Sequence, residues 1–359
     1  MPEIWILGAT GRVGRAVAPL LVGPRAAASG LDVVLVGRNP ERLAGAASVI
    51  GGAARVLQAG SLTATAELIA REQPSVVINT IGPFAETAMP IIDACLPGSH
   101  YLDITNEILA MNAVFARHDD AVTAGRSLVT ATGFGVLGVE AAVLKACAGL
   151  EDIDTVRGDA MPLVAPEPGR MGEALAGSII GGLTAGGLRY AGGRLVRAGI
   201  GSRVETITTP DGTTIRTGSA PTGELIAAQR ASGAPNVLAA TSLLPTGLPV
   251  RVALTAIGVL ARIGWIRSTL VRRMAAMEGS LDSEAERTST WARARVRTTA
   301  GRERTAWLRA GDAMDFTAAV TAEVASRLAR GEGRPGAFTP GGLFGAELAE
   351  AAGAELSVD

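Results

Sequence analysis

The feature that most constrains this chain is a glycine-rich turn near its start, Gly8-Ala9-Thr10-Gly11-Arg12-Val13-Gly14. An apolar run at residues 4–7 precedes the turn, and a helical pattern begins at Arg12. This order predicts a strand, a phosphate-binding loop and a helix, whose N–H groups and positive dipole end hold a pyrophosphate. The glycine spacing is GxxGxxG, one residue longer than the usual GxGxxG fingerprint. The alternative is a tight strand-to-helix turn in a fold that binds no nucleotide.

Strand and helix patterns alternate up to residue 148, which predicts a parallel sheet covered by helices on both faces. After the first strand, further strands are predicted at residues 31–36, 55–58, 75–79, 100–103 and 127–132. Their continuous apolar runs are typical of strands buried on both faces. The fold class is therefore α/β, with an N-terminal doubly wound domain over residues 1–148.

A chain of 359 residues exceeds the size at which one core usually stops growing, so a second domain is expected. From residue 149 hairpins and long helices replace the alternation, which predicts an α+β domain over 149–334. Residues 335–359 are expected to return to the first domain, with a helix around 343–351 and a short apolar end at 354–358. In a predicted hairpin strand, Arg293, Arg295 and Arg297 share one face. We interpret that face as solvated or subunit-facing, and the alternative is an anion site.

The formal net charge of −1 argues against nucleic acid as a partner, because phosphate binding needs a surplus of basic residues. The two cysteines, Cys95 and Cys147, lie in helical apolar contexts and make neither a disulfide framework nor a metal site. A reducing cytoplasm fits this usage. The chain begins with a strand pattern, so no export signal is predicted.

Two apolar stretches, residues 172–190 and 248–266, raise the question of membrane contact. The first is rich in small residues, and the second carries Arg251 and Arg262, whose insertion would be costly. We therefore expect no transmembrane segment and interpret both stretches as ordinary helices. The second stretch leaves open peripheral contact with a membrane or cover for an apolar substrate channel.

Four motifs together resemble the saccharopine dehydrogenase-like family: the glycine-rich loop, Asn-Thr-Ile-Gly-Pro-Phe at 79–84, His-Tyr-Leu-Asp-Ile-Thr-Asn-Glu at 100–107 and Arg-Pro-Gly-Ala-Phe-Thr-Pro at 334–340. The resemblance implies an NAD(P)-binding Rossmann domain, oxidoreductase activity, and a second domain that often builds a homo-oligomer. Two departures stand out. Asn106 replaces the usual glycine, and Gly135 follows the Gly133-Phe134 pair, where an Asp is frequent. Saccharopine is therefore not carried over as the substrate, and the apolar helices of the second domain favour a mostly apolar small molecule.

The end of the second strand indicates the cofactor. A carboxylate there binds the ribose of NAD, whereas here Gly37 and Arg38 follow the strand, and the Arg38 guanidinium suits the 2′-phosphate of NADP. The alternative is a solvated Arg38, with Glu41 reaching the ribose. The predicted cofactor residues are Gly8, Ala9, Thr10, Gly11, Arg12, Val13, Gly14, Arg38, Thr80, Ile81, Gly82 and Pro83.

Asp103 is the main catalytic candidate, because ligands bind outside the carboxyl ends of parallel strands. Thr105 follows it, and Tyr190 is a candidate proton donor. The structural alternative is that Asp103 and Thr105 form capping hydrogen bonds. The two histidines, His100 and His118, are interpreted as structural. The predicted function is NADP-dependent reduction of a C=C, C=O or C=N bond, and the alternative is an NADP(H)-binding sensor or scaffold without turnover.

Overall fold

A computed structural model describes the protein at residues 1–23, 30–165, 173–244, 247–276 and 288–359. The chain forms two compact units. The first unit contains Met1–Thr105, Leu109–Gly133 and Met314–Phe344. The second contains Asn106–Ile108, Phe134–Ala313 and Gly345–Asp359.

The N-terminal part of the chain alternates strictly between strands and helices. Its strands are β1 (Glu3–Leu7), β2 (Asp32–Gly37), β3 (Ala54–Gln58), β4 (Val76–Asn79), β5 (His100–Asp103) and β6 (Ser127–Val129). Its helices are α1 (Arg12–Val22), α2 (Pro40–Val49), α3 (Leu62–Glu72), α4 (Phe84–Cys95), α5 (Ile108–Phe115) and α6 (His118–Ala124).

The middle of the chain mixes hairpins with helices. Its helices are α7 (Phe134–Cys147), α8 (Glu173–Ala185), α9 (Glu224–Ser232), α10 (Leu248–Leu260) and α11 (Gly264–Ala275). Its strands are β7 (Ile153–Met161), β8 (Gly187–Ala191), β9 (Arg194–Ala198), β10 (Glu205–Thr208), β11 (Thr214–Ser219), β12 (Asn236–Thr241), β13 (Thr290–Thr298) and β14 (Glu303–Ala310). The chain ends with α12 (Ala313–Ala329), β15 (Gly336–Phe338), α13 (Pro340–Phe344), α14 (Glu347–Ala351) and β16 (Glu355–Val358).

The first sheet has the order β15-β6-β5-β4-β1-β2-β3, and its neighbouring strands pair in parallel. From β3 to β6 this is the doubly wound Rossmann order, which confirms the predicted fold class. The inner strands β1, β2 and β4 are apolar because they are enclosed on both faces, whereas the edge strand β3 is largely exposed. Trp5, Ile78 and Tyr101, for example, are fully buried.

The second sheet runs β10-β11-β12-β7-β13-β14-β16, with β8 and β9 attached beside β12. One face of β7 and β13 is covered by α7, and small residues allow close contact there. A Cβ on Gly158 would lie 2.4 Å from a Val139 methyl carbon, and one on Gly138 would lie 3.3 Å from the Ala292 Cβ. Residues of alternate parity on the same strands lie on the other face. This mixed sheet confirms the expected α+β architecture of the second domain.

The observed division of the chain differs from the expected boundaries. Helix α7, expected in the first domain, belongs to the second unit because its apolar side chains pack on the second sheet. Helix α12, expected in the second domain, belongs mostly to the first unit. Of the expected C-terminal return, β15 does pair with β6, whereas β16 pairs with β14. The last strand therefore completes the second sheet.

The two apolar stretches also differ from expectation. The first begins at Gly172, which lies outside the described residues, and its helix ends at Ala185, so that Tyr190 is in β8. The second divides into α10 and α11, because the first helix ends at Leu260 and a new one begins at Gly264. Among the described helices, none is both long and apolar enough to cross a membrane.

Candidate functional site

The order of the first sheet reverses between β1 and β4, and doubly wound sheets bind ligands at such a switch point. The loop at residues 8–14 follows β1, and the turn at residues 80–83 follows β4. The loop and the turn are in close contact, because a Cβ on Gly8 would lie 2.7 Å from Oγ1 of Thr80. The structure therefore brings together two of the segments that the sequence assigned to the cofactor.

Backbone hydrogen bonds anchor the glycine-rich loop to its own sheet. The N–H groups of Gly8 and Ala9 donate to the carbonyl of Val36 at 3.1 and 3.3 Å. The Gly11 N–H donates to the Gly8 carbonyl at 2.8 Å. Gly8 has φ +73°, a conformation that strongly favours glycine. These contacts hold the loop against β2 and direct the chain into α1.

Gly14 allows α1 to lie directly against the loop. A Cβ at this position would lie 2.6 Å from the Gly8 carbonyl oxygen and 2.7 Å from the Ala9 Cα. Helix α1 begins after Gly11, and among the described residues no side chain caps its start and no acidic residue lies in its first turn. Because the first N–H groups of a helix have no acceptor within it, such an end suits an anion. The loop therefore fits a pyrophosphate.

The turn after β4 is held by its own side chains. Thr80 Oγ1 donates to the carbonyl of Leu7 at 2.7 Å. The Ile81 N–H donates to Asn79 Oδ1 at 3.0 Å, and Thr87 Oγ1 donates to the Ile81 carbonyl at 2.5 Å. Gly82 and Pro83 complete the turn and lead into α4. The predicted residues of this turn are thus fixed at the end of the strand that adjoins β1.

Arg38 lies exposed at the end of β2. Its backbone carbonyl accepts a hydrogen bond from Gln58 Nε2 at 3.2 Å. Its guanidinium takes part in no hydrogen bond or ion pair within the described part of the chain. The next residue, Asn39, caps α2 by accepting from the Arg42 N–H at 2.9 Å. The Arg38 cation is therefore available to a phosphate at the strand end.

Residues 4–129, which contain the loop, the turn and Arg38, match the family model described as saccharopine dehydrogenase NADP binding domain. The matched stretch is therefore similar to a saccharopine dehydrogenase NADP-binding domain, and we call it the NADP-binding domain. This match also confirms NADP as the predicted cofactor of the domain.

Two mycobacterial proteins named trans-acting enoyl reductase are similar to part of the chain. The protein of Mycobacterium tuberculosis is 31% identical and that of Mycobacterium leprae 30% identical, each over 138 residues. The aligned part is 37% of this chain and 32% of either relative, so the match spans about a third of the length of these relatives. A saccharopine dehydrogenase from Saccharomyces cerevisiae matches in structure, with TM-score 0.63, 12% identity and coverage of 100% and 99%. This structural match shows a shared fold.

Asp103 of the NADP-binding domain is fully buried and surrounded by donors. Its Oδ1 accepts from Thr130 Oγ1 at 2.9 Å and from the N–H groups of Ala131 and Thr105 at 2.8 and 3.1 Å. Its Oδ2 accepts from the Tyr101 hydroxyl at 2.9 Å. Burial raises the pKa of Asp103, and these hydrogen bonds oppose that rise. The carboxyl group therefore joins the ends of β5 and β6, an arrangement that favours the structural alternative.

The three predicted catalytic residues do not form one cluster. Thr105 is buried beside Asp103, whereas Tyr190 belongs to β8 of the second unit. Burial raises the pKa of Tyr190, so its hydroxyl keeps its proton at neutral pH and is chemically able to donate it. The catalytic roles of all three residues stay predictions.

Asn79 ends β4 and is not among the predicted cofactor residues. Its Oδ1 accepts from the Ile81 N–H, and its Nδ2 donates to the Tyr101 hydroxyl at 3.2 Å. Asn79, Tyr101 and Asp103 thus form a buried hydrogen-bonded chain across the ends of two adjacent strands. The sequence feature that could have identified Asn79 is its position as a polar residue at the end of an otherwise apolar strand.

Both histidines accept hydrogen bonds from backbone N–H groups of the first unit. His100 Nδ1 accepts from the Ser127 N–H at 3.0 Å, and His118 Nδ1 accepts from the Ala337 N–H at 3.0 Å. Burial and the nearby Arg126 lower the pKa of His100 from 6.5 to about 4. His100 therefore remains neutral in the folded protein at neutral and mildly acidic pH.

We expect His100 to make the protein sensitive to acid. Between pH 6.5 and about 4 the unfolded chain binds a proton at this residue and the folded chain does not, so stability falls as the pH falls. The loss should reach at most about 3 kcal/mol. Urea unfolding of wild type and His100→Gln across this range measures the loss. The unfolding free energy of wild type should fall by this amount more than that of the variant. Parallel curves for the two proteins would contradict the assignment.

Proposed function

We propose that the protein is an NADPH-dependent oxidoreductase that reduces a C=C, C=O or C=N bond of a mostly apolar small molecule. The observation that carries the proposal is the phosphate loop of the NADP-binding domain, with its open helix start and the cradle at Gly14. The names of the mycobacterial relatives support reduction of a C=C bond among these reactions.

In this proposal each segment of the site has one task. The loop at residues 8–14 holds the pyrophosphate, and Arg38 binds the 2′-phosphate through charged hydrogen bonds. The turn at residues 80–83 borders the cofactor at the switch point. Bound NADPH supplies a hydride. An apolar substrate is inferred from the apolar composition of helices α8 and α10 in the second unit.

Arg38→Ala should weaken NADPH binding by about ten- to a hundredfold, because a hydrogen bond to a charged group contributes roughly 1.5 to 3 kcal/mol. NADH lacks the 2′-phosphate, so its affinity should hardly change. Calorimetric titration of wild type and variant with both nucleotides measures the effect.

The matched control is Arg71→Ala, which removes an equally cationic side chain that is paired with Glu72 at the end of α3. This change should leave both affinities as they are. Equal losses for NADPH and NADH in Arg38→Ala, or a wild type that prefers NADH, would refute the role of Arg38.

A sensor or scaffold that binds NADP(H) without turnover is the second candidate. It is favoured by the complete enclosure of Asp103 and Thr105, which leaves these two groups with almost no surface for a substrate. The two functions separate in one assay, NADPH oxidation with a panel of enones, ketones and imines. Turnover of any member supports the oxidoreductase, whereas tight NADPH binding without turnover across the panel supports the sensor.

The oligomeric state and the cellular location expected from the sequence are also proposals. A homo-oligomer is proposed from the resemblance, and sedimentation velocity at several protein concentrations tests it. A cytoplasmic location is proposed from cysteine usage, and cell fractionation tests it.

A further inference from the structure

The junction of α10 and α11 exposes large apolar side chains. Only three residues separate the two helices. Val259, Leu260, Ile263 and Trp265 are all exposed there, and Trp265 is 73% exposed. Single apolar residues on a surface are ordinary, whereas a contiguous group marks an interaction site. We call residues 259–265 the helical tip.

The rest of the helix pair is already packed within the second unit. Ala261 is buried with Ile180 and Leu183 of α8. A Cβ on Gly258 would lie 2.2 Å from the Leu183 carbonyl oxygen, so α10 lies directly against the α8 backbone. The inward-facing apolar residues packed against the same cluster are Leu254, Ile257, Leu270, Val271 and Met274. The exposed side chains of the helical tip are therefore a separate set from those that hold the helices in place.

The sequence segment that contains the helical tip carries charge of one sign. No Asp or Glu occurs between Glu224 and Glu278, although the whole chain has a net charge of −1. Exposed arginines occur within the tip at position 262 and in the last turn of α11 at positions 272 and 273. The basic residues of this acid-free segment are Arg230, Arg251, Arg262, Arg267, Arg272 and Arg273.

We propose that the helical tip docks the protein on the surface of an anionic lipid bilayer. Tryptophan and aliphatic side chains beside arginines are the composition of surfaces that enter the headgroup region. The described helices do not span a membrane, so the contact is peripheral. A second copy of the chain is a poorer occupant, because a twofold interface at the tip would place Arg262 near its own copy. This inference is independent of the proposed enzymatic function.

Tryptophan fluorescence of the full chain tests the proposal directly. The other three tryptophans, Trp5, Trp291 and Trp307, are at most 6% exposed, so a blue shift on addition of vesicles reports Trp265. We expect the shift with vesicles of phosphatidylcholine and phosphatidylglycerol, and little shift with phosphatidylcholine alone. Raising the salt from about 0.1 to 1 M shortens the screening length from about 10 to 3 Å and should release the protein.

Vesicle flotation with variants gives the second readout. Trp265→Ser should lower the partition coefficient by about tenfold or more, through the loss of a buried aromatic side chain. The double change Arg272→Gln and Arg273→Gln should lower the partition coefficient by about thirtyfold. Each basic residue near an anionic surface contributes a factor of about five. The matched controls are Val49→Ser and Arg302→Gln, which alter exposed residues elsewhere and should float like wild type.

Three outcomes would overturn the proposal. One is a wild type that does not float with anionic vesicles, and another is flotation that the tip variants and the controls change equally. The third is sedimentation showing that Trp265→Ser converts a dimer into a monomer while flotation stays unchanged, which would assign the tip to a second copy of the chain. Circular dichroism of each variant verifies that the folded state is retained.

Discussion

Gly14→Ala should lower the affinity for NADPH by up to about a hundredfold, because losing hydrogen bonds to the charged pyrophosphate costs roughly 1.5 to 3 kcal/mol. The added Cβ would meet the Gly8 carbonyl oxygen at 2.6 Å and the Ala9 Cα at 2.7 Å, and both are backbone atoms that cannot rotate away. Either α1 or the phosphate loop must therefore move. Crowding of this kind should also destabilise the fold by about 1 to 3 kcal/mol. Calorimetric titration with NADPH and thermal unfolding measure the two effects.

Gly45→Ala is the matched control, because it makes the same change in a helix of the same unit. Gly45 lies exposed in α2, and a Cβ there would meet nothing within 4 Å. Alanine is better than glycine inside a helix by about 1 kcal/mol, so this variant should be slightly more stable and should bind NADPH normally. If Gly14→Ala bound NADPH as tightly as Gly45→Ala, the loop would not be the phosphate site.

Asp159→Ala should destabilise the second unit by about 3 to 5 kcal/mol, the cost of leaving buried charges without their partner. The Asp159 carboxylate is fully buried on the face of the second sheet away from α7. It accepts from Arg293 Nη2 at 2.7 Å, from Arg157 Nε at 3.1 Å and from Thr217 Oγ1 at 2.7 Å. Its removal would leave Glu205 as the remaining acidic partner that the structure shows for the two arginines. Urea unfolding followed by circular dichroism measures the loss.

The control for this change is Glu355→Ala, which removes an exposed carboxylate from β16 of the same sheet. Glu355 lies 3.7 Å from Arg309, and its side chain is 77% exposed. Exposed pairs of this kind contribute at most about 1 kcal/mol, so little change is expected. A loss for Asp159→Ala as small as that for Glu355→Ala would mean that the buried arginines are satisfied without Asp159.

The same cluster corrects the interpretation of the arginine stripe on β13. Arg293, Arg295 and Arg297 do share a face, but their exposure differs along the strand. Arg293 is buried, Arg295 is half-buried against Glu205 and Arg297 is exposed. The face is thus neither uniformly solvated nor an open anion site. Its inner end is neutralised by acidic residues of the same unit.

Local patterns were enough to predict the phosphate loop and its setting. The apolar run before Gly8, the glycine spacing and the helical period after Arg12 all act within a few residues, and the structure has the strand, turn and helix at those positions. The position of Arg38 followed in the same way from the end of β2. Alternation of buried strands with helices likewise predicted the parallel sheet, because strands buried on both faces must be apolar throughout.

Sequence by itself determined the type of each of these elements, because hydrophobic period, capping and turn chemistry are properties of short segments. Only the tertiary structure decided which distant residues meet. Asp159 and Arg293 are 134 residues apart, and β16 pairs with β14 although the sequence led us to expect that residues 335–359 return to the first domain. Asp103 looked accessible at a strand end, yet four donors from β5 and from the segments that follow β5 and β6 enclose it. Such pairings depend on the packing of whole elements, and no local pattern records that packing.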